Sequence, residues 1–195
     1  MKVIKNLIVF EGIDGCGKTT QVVEFAKRLQ KEYPDYAIVT TAEPSKGCIG
    51  RFLREEVLSG KSALDAKTVT RLFAADREQH LLDIRLRDNC KALTVCDRYV
   101  VSNIAYQSLN NPELEQFVID QNEQFEKPFL TVYLRVEPEK VDEVFRRVCT
   151  RGNSKEIFDK LDTQKNLARN FDKILDSENF SKYTVIVDAT QDVDT

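Results

Sequence analysis

The stretch Phe10–Thr20, FEGIDGCGKTT, follows a run that predicts a strand, VIKNLIVF ending at Phe10, whose last four residues, Leu7–Phe10, are all apolar. It opens a segment whose apolar residues, Val22, Phe25, Ala26 and Leu29, recur at helical spacing. Gly12-Ile13-Asp14-Gly15-Cys16-Gly17-Lys18-Thr19 matches GxxxxGK[ST], and a strand before it with a helix after it is the context that pattern requires. The pattern arises by chance in a chain this long on the order of one time in a hundred. Glycines let successive N–H groups turn inward around phosphate oxygens, the helix N-terminus adds partial positive charge, and Lys18 adds a full one. Thr19 offers a hydroxyl to Mg²⁺. Gly12, Asp14, Gly15, Cys16, Gly17, Lys18, Thr19 and Thr20 are therefore expected to hold a nucleoside triphosphate, for a reaction the loop alone does not specify. Cys16 is either a thiol made reactive by Lys18 and the helix end or a small residue that fits.

Further apolar runs predict strands at YAIVTT ending at Thr41, ALTVCD ending at Asp97, FLTVYLRV at Phe129–Val136 and YTVIVD at Tyr183–Asp188. Helical patterns lie between them: Ile49, Phe52, Leu53, Val57; Leu114, Phe117, Val118, Phe125; and a long helix from about Asp65 to Asn89. Strands alternating with helices imply parallel pairing and right-handed crossovers, and continuous apolar strands imply a sheet covered on both faces. The expectation is an α/β P-loop NTPase fold, a three-layer αβα sandwich with a five-stranded parallel sheet. At 195 residues and 42% hydrophobic, one domain spans 1–195. A formal charge of −3 gives no basic field for long nucleic acid. No 18-residue apolar stretch argues for a membrane, and five scattered Cys without a C-x-x-C pair fit a reduced, cytoplasmic compartment.

In such a sheet ligands bind beyond the C-terminal strand ends. Asp97, ending the third strand, is placed to help Thr19 hold Mg²⁺. Arg98 beside it suits bidentate phosphate binding, or pairs with a local carboxylate on the surface. In a helix running from Ser102, Asn103, Tyr106 and Gln107 share one face, a set of polar groups that a core-facing helix would not present. In the long helix, Asp76 and Arg77 interrupt the apolar stripe of Val69, Leu72, Phe73, Leu81 and Ile84. Phe73 stacking one turn from a donating Arg77 suits a nucleobase; a buried salt bridge beneath a core Phe is the competing reading.

Past the fourth strand, Pro138 opens a helix through Val141, Val144, Phe145 and Val148 that runs into Arg146, Arg147 and Arg151 before the apolar pattern resumes at Leu161. Together with the two phosphate-binding features, this points to a mobile lid at about 146–160 whose arginines approach phosphates on closure; alone it would read as a solvated charge run.

Taken together these residues resemble the thymidylate kinases, nucleoside monophosphate kinases that move a phosphoryl group from ATP to dTMP. The resemblance covers nearly the whole chain: FEGIDGCGKTT, TAEPS at Thr41–Ser45, RLFAADREQH at Arg71–His80, DRYVVSNIAYQ at Asp97–Gln107 and RGNSKEIFDK at Arg151–Lys160. It makes the loop from Gly12 to Thr20 an ATP site with Mg²⁺ on Thr19 and Asp97. It implies dTMP contacts at Asp14, Glu43, Arg54, Phe73, Arg77, Arg98, Ser102, Asn103, Tyr106 and Gln107, with thymine on Phe73 and its edge at Arg77, Asn103 and Gln107. Tyr106 is placed near the deoxyribose, and Arg98 and Arg54 at the acceptor phosphate. Lys18, Arg98, Arg151 and, next, Arg147 would be catalytic, since no Arg stands at Ile13–Cys16 and the lid supplies it. No general base is needed, which leaves His80 a structural role. The resemblance also implies a homodimer.

Three features depart from the family. Ala42 stands where TREP would have Arg, and Arg135 follows YL where Asp is common. Thr195 comes soon after the fifth strand, where relatives continue into a helix over the adenine, so weaker contacts to the base of ATP, or a shortened chain, are expected. The alternatives are a deoxynucleoside monophosphate kinase of altered acceptor preference and a P-loop protein that binds nucleotide without turnover.

Overall fold

The computed structural model describes residues 2–87, 90–109, 111–150 and 160–191, and for Pro112 and residues 147–150 the backbone only. Five strands, β1 (Val3–Glu11), β2 (Ala37–Ala42), β3 (Ala92–Asp97), β4 (Lys127–Arg135) and β5 (Thr184–Asp188), form one sheet in the order β2-β3-β1-β4-β5. All four pairings are parallel. Each expected strand is present within a residue or two at its ends. β1 runs one residue past Phe10 because Glu11 still pairs with Tyr133 of β4.

The helices are α1 (Lys18–Glu32), α2 (Cys48–Phe52), α3 (Ala66–Arg87), α4 (Val100–Gln107), α5 (Glu115–Glu123), α6 (Val141–Thr150), α7 (Leu161–Leu175) and α8 (Glu178–Ser181). The helix expected through Ile49–Val57 forms as α2 followed by a π-helical turn, Leu53–Leu58. Leu53 and Val57 pack against Val69, whereas Phe52, expected on the same face, is 41% exposed. The crossovers after β1, β2, β3 and β4 thus carry helices to both faces, as parallel pairing requires.

Leu7, Val9, Val95, Cys96 and Leu134 of the central strands are buried against Leu81 and Ile84 of α3, Ile104 and Ala105 of α4, and Leu167 and Phe171 of α7. Burying each such aliphatic side chain contributes about 1.5–3 kcal/mol. Phe171 stacks on Tyr133 at 5.9 Å between ring centroids and meets Tyr106 edge-on at 6.2 Å, so it joins β4, α7 and α4. Arg135, one of the unusual residues, gives Asp172 of α7 two hydrogen bonds of 3.0 Å, and the Tyr133 hydroxyl donates to the same carboxylate at 2.8 Å. Its departure from the family pattern is thereby matched by a local acid that ties the end of β4 to α7. At the sheet edge, Val185, Ile186 and Val187 of β5 remain 42–54% exposed. Among the described residues no helix is long and apolar enough to cross a membrane.

Phe171→Ala removes the ring at this three-element junction and is expected to cost about 3–5 kcal/mol of unfolding free energy in urea denaturation; a loss under about 1 kcal/mol would mean that the junction repacks without it.

Candidate active site

The loop between β1 and α1 turns at three glycines of positive φ, Gly12, Gly15 and Gly17. Gly12 has φ 148°, and a Cβ there would lie 2.7 Å from the Leu134 carbonyl oxygen and 2.9 Å from Cys16 Sγ. Gly17, at φ 93°, sits in the left-handed region and begins α1 with no side-chain cap, which leaves the helix N–H groups to an anion. Lys18 is buried, and its ammonium donates to the carbonyls of Gly12 at 3.0 Å and Ile13 at 2.6 Å. The loop thus holds a full positive charge where a phosphate would enter. Cys16 is also buried, and burial pushes its thiol up against the pull of Lys18, which favours the reading of a small residue that fits.

Asp97 lies beside the loop because Phe10 of β1 pairs with it across the sheet. Thr19 Oγ1 donates to Asp97 Oδ2 at 2.8 Å, and the other carboxylate oxygen, Oδ1, is buried without a hydrogen-bond partner among the described residues. A hydroxyl and a carboxylate with an unspent oxygen form a hard-oxygen donor set that fits Mg²⁺ completed by substrate phosphates and water. No cluster of three His, Cys, Asp or Glu occurs among the described residues.

Arg98 follows at φ 72°, a left-handed conformation that a non-glycine residue adopts only under constraint. The constraint is visible on both sides. Its N–H extends the sheet by donating to Phe10 O at 2.9 Å, and its guanidinium bonds Gly12 O, Ser102 Oγ and Asp14 Oδ1 while lying 5.0 Å from the Tyr106 ring. Asp14 also accepts from the Tyr106 hydroxyl at 2.8 Å and from Gln164 Nε2 at 2.9 Å. Burial would raise the Asp14 carboxyl; Arg98, then Lys18, Tyr106 and Gln164, outweigh it and hold the group below the usual carboxylate range. The surface-pair reading of Arg98 is therefore half right: it has a local carboxylate, within the site.

Two adjoining cavities meet at this pair. One, of about 390 Å³, is lined by Gly15, Gly17, Lys18, Thr19, Thr20, Arg54 and Asp97. The other, of about 60 Å³, is lined by Phe73, Arg77, Ser102, Asn103, Tyr106 and Gln107. Asp14, Glu43, Pro44, Leu58 and Arg98 belong to the walls of both. All ten expected acceptor residues thus lie on this one cleft, Arg54 from the phosphate side, where it also donates to Ser45 O at 2.6 Å. Ala42, the missing arginine, lines the larger cavity. A roomier cavity, about 570 Å³, lies on the far side of Glu11 between α4–α5 and α7–α8, but its rim Lys173 is tied to Glu115 at 2.6 Å and it has no phosphate loop.

The structure shows the buried salt bridge of the competing reading, but Phe73 does not lie over it as a core residue. Arg77 is 1% exposed, forms a 2.7 Å ion pair with Glu43 and lies 5.0 Å and 5.4 Å from the Tyr99 and Phe125 rings. Phe73 is only half-buried and faces the cleft. His80 bonds Thr41 Oγ1 at 2.8 Å and Glu43 Oε1 at 3.2 Å, which gives it the structural role expected. Arg151 and residues up to 159 lie outside the described residues, and of Arg147 only the backbone, within α6, is described, so the lid at 146–160 is described only at its ends.

Three residues of the site escaped the sequence reading. Glu11, fully buried, accepts from the N–H groups of Tyr99 at 2.9 Å and Ser102 at 3.2 Å and from the Ser102 hydroxyl, and so caps α4 from β1. Burial pushes its carboxyl up against the pull of Ser102 and Arg98. Gln164 of α7 grips Asp14 twice, accepting from its N–H at 3.1 Å as well as donating to its carboxylate. Asn122 of α5 accepts from Arg77 and donates to Asn103 at 2.9 Å. Each is a polar residue in an otherwise apolar stripe or strand, and that interruption was the available signal.

Three comparisons bear on this arrangement. The family model described as thymidylate kinase matches residues 10–195. A "Probable thymidylate kinase" of Methanocaldococcus jannaschii is 38% identical over 184 residues, 94% of this chain and 87% of that one. Another of the same description, from Methanococcus maripaludis strain C7, is 38% identical over 191 residues, 96% and 88% of the two chains. The solved thymidylate kinase of Candida albicans, described as having broad substrate specificity, shares the fold at TM-score 0.77 and 23% identity, over 94% of this chain and 83% of that chain.

Asp14 has its carboxyl lowered by folding, so its interactions stabilise the protein fully above the unfolded value near about 4 and lose that effect as pH falls through the folded value. The stability gap between the native chain and Asp14→Asn, read by urea denaturation, should stay level from about pH 7 to 4.5 and narrow below about 4. A gap that widens on acidification would contradict this assignment.

Proposed function

The chain belongs to the thymidylate kinase family, and we propose that it transfers the γ-phosphoryl group of ATP to dTMP, giving dTDP and ADP. The observation that carries this reading is the shared wall. A phosphate loop and a pocket of one aromatic ring with amide and guanidinium donors meet at Asp14 and Arg98, so two nucleotides could be brought phosphate to phosphate.

In this reading ATP phosphates enter the loop at Gly12–Thr20 and take over the donors that Lys18 now gives to carbonyls. Thr19 and Asp97 would hold Mg²⁺, which neutralises charge on the transferring phosphates when bound. dTMP lies with its base on Phe73, its deoxyribose by Tyr106 and its phosphate near Arg98 and Arg54. Phosphoryl transfer asks chiefly for alignment and charge neutralisation. Arg98 is suited to both, since its backbone and four partners fix the guanidinium before substrate arrives. Asp14 keeps its charge at neutral pH and orients Arg98, and no proton need be removed from an acceptor that is already an anion. Arg151, with Arg147 next, would bring further positive charge and exclude water on closure. The exposed apolar residues Leu82 and Leu86 on α3 support the homodimer that the family resemblance implies, and light scattering reads it.

A coupled assay with ATP and dTMP tests the proposal: dTDP should form, and folded protein that binds ATP without making dTDP would sink it. Arg98→Ala should lower kcat/KM for dTMP by about 2–4 kcal/mol of transition-state stabilisation, roughly 30- to 1000-fold. An unchanged kcat/KM would place the acceptor phosphate elsewhere.

A further inference from the structure

The 570 Å³ cavity on the far side of Glu11 has no part in the proposed reaction, and its wall is chemically uneven. Val100, Val101 and Ile104 of α4, Phe125, and Ile174 of α7 give it a buried apolar lining. Its size falls within the roughly 300–1,000 Å³ usual for small-molecule sites, which are likewise mostly apolar with a few polar groups. Of the four acids in the wall, three are already satisfied: Glu11 by Tyr99 and Ser102, Glu126 by Arg85, and Glu115 by Lys173. The fourth, Glu123, is exposed. Lys127, at the start of β4, is 7% exposed and pairs with no carboxylate among the described residues. One of its N–H donors goes to Asn179 O, and the ammonium lies 4.8 Å and 5.8 Å from the Phe180 and Tyr183 ring centroids. Burial, and after it the like charge of Lys182, holds this ammonium below the ordinary lysine value. An ammonium has three donors. A buried cation with donors left over and no counter-charge is costly, and in the wall of an apolar cavity it calls for an anion.

We propose that this cavity is a second ligand site, apart from the nucleotide cleft, for a small carboxylate with an apolar body: the body packs against α4 and Phe125, and the carboxylate meets Lys127. Charge decides the class. An uncharged apolar molecule would leave Lys127 without a counter-charge, and a cation would repel it while finding Glu11, Glu115 and Glu126 already bonded. A bare inorganic anion would satisfy Lys127 and leave the apolar lining uncovered. A nucleotide would bring more negative charge than Lys127 alone can meet, since Lys173 is spent on Glu115.

Isothermal titration calorimetry of the unaltered protein with sodium octanoate, 1-octanol and octylammonium chloride tests this. Octanoate should saturate a single site per chain and bind about tenfold or more tightly than either of the others, the margin that a charged hydrogen bond supplies. Lys127→Met, which keeps an apolar stem without the charge, should remove that margin and leave octanol binding within about twofold. Ile119→Trp, which fills the cavity from α5, should abolish octanoate binding. Saturation should still be reached with dTMP and a non-hydrolysable ATP analogue present. Four results each overturn the proposal: no saturable binding by about 10 mM octanoate, a margin that is absent or that survives Lys127→Met, binding that survives Ile119→Trp, or full displacement of octanoate by either nucleotide. If the variants do not fold, the unaltered protein crystallised with octanoate decides. Its carboxylate within about 3.2 Å of Lys127 Nζ supports the site, and octanoate bound elsewhere overturns it. None of these readouts uses turnover, so a failure of the kinase reading is told apart from a failure of this one.

Discussion

Arg98 held against Asp14 is the contact on which the site depends. Its backbone sits in a left-handed conformation that costs on the order of 1–3 kcal/mol, and the surrounding bonds offset that cost. They come from three parts of the fold: β1 through Phe10 O, the phosphate loop through Gly12 and Asp14, and α4 through Ser102 and Tyr106. α7 joins at one remove, through Gln164 on Asp14. A half-buried guanidinium surrounded in this way does not need to be ordered when substrate binds, so less of the binding free energy goes into fixing it.

Much of this was legible in the sequence, and the division between what was and what was not is physical. The loop and the strands are local features: a glycine pattern needs only its neighbours, and an apolar run reports burial wherever it lies. Asp97 and Arg98 were found because they follow a strand that must sit beside β1. Glu11, Gln164 and Asn122 were not, because each does its work on a residue far along the chain. Glu11 bonds Ser102 and Gln164 bonds Asp14, 91 and 150 residues away, and no local periodicity carries such a pairing. Ion pairs were ambiguous for the same reason. Arg77 read equally as a base ligand or as half of a buried bridge, and only the position of Glu43 shows that the bridge is there.

The polar layer beneath the cleft follows from that arrangement. Thr41, His80, Glu43, Arg77, Asn122 and Asn103 are joined in a continuous run of hydrogen bonds between β2, α3, α5 and α4. Buried polar groups stabilise less than an apolar core would, and a partly broken network is worse than none. What the run contributes is geometry: donors and acceptors whose orientations are set by one another and not by solvent. The cleft therefore has a rigid floor on the side of Arg77 and Asn103, while the described lining on the side of Lys18 includes the exposed Thr19 and Thr20.

Gly12 has a further bearing on how such chains drift over evolutionary time. Its missing side chain makes room for the Leu134 carbonyl as much as for any phosphate, so a mutation there would push β4 away from β1 before it disturbed a nucleotide. A descendant that had lost catalysis would still be under selection to keep this glycine for the sake of its sheet. Survival of the first motif glycine is thus a record of folding and not of activity. Among paralogues of uncertain competence, retention of the Asp14 and Arg98 side chains, which meet within the cleft and not between strands, is the more discriminating mark.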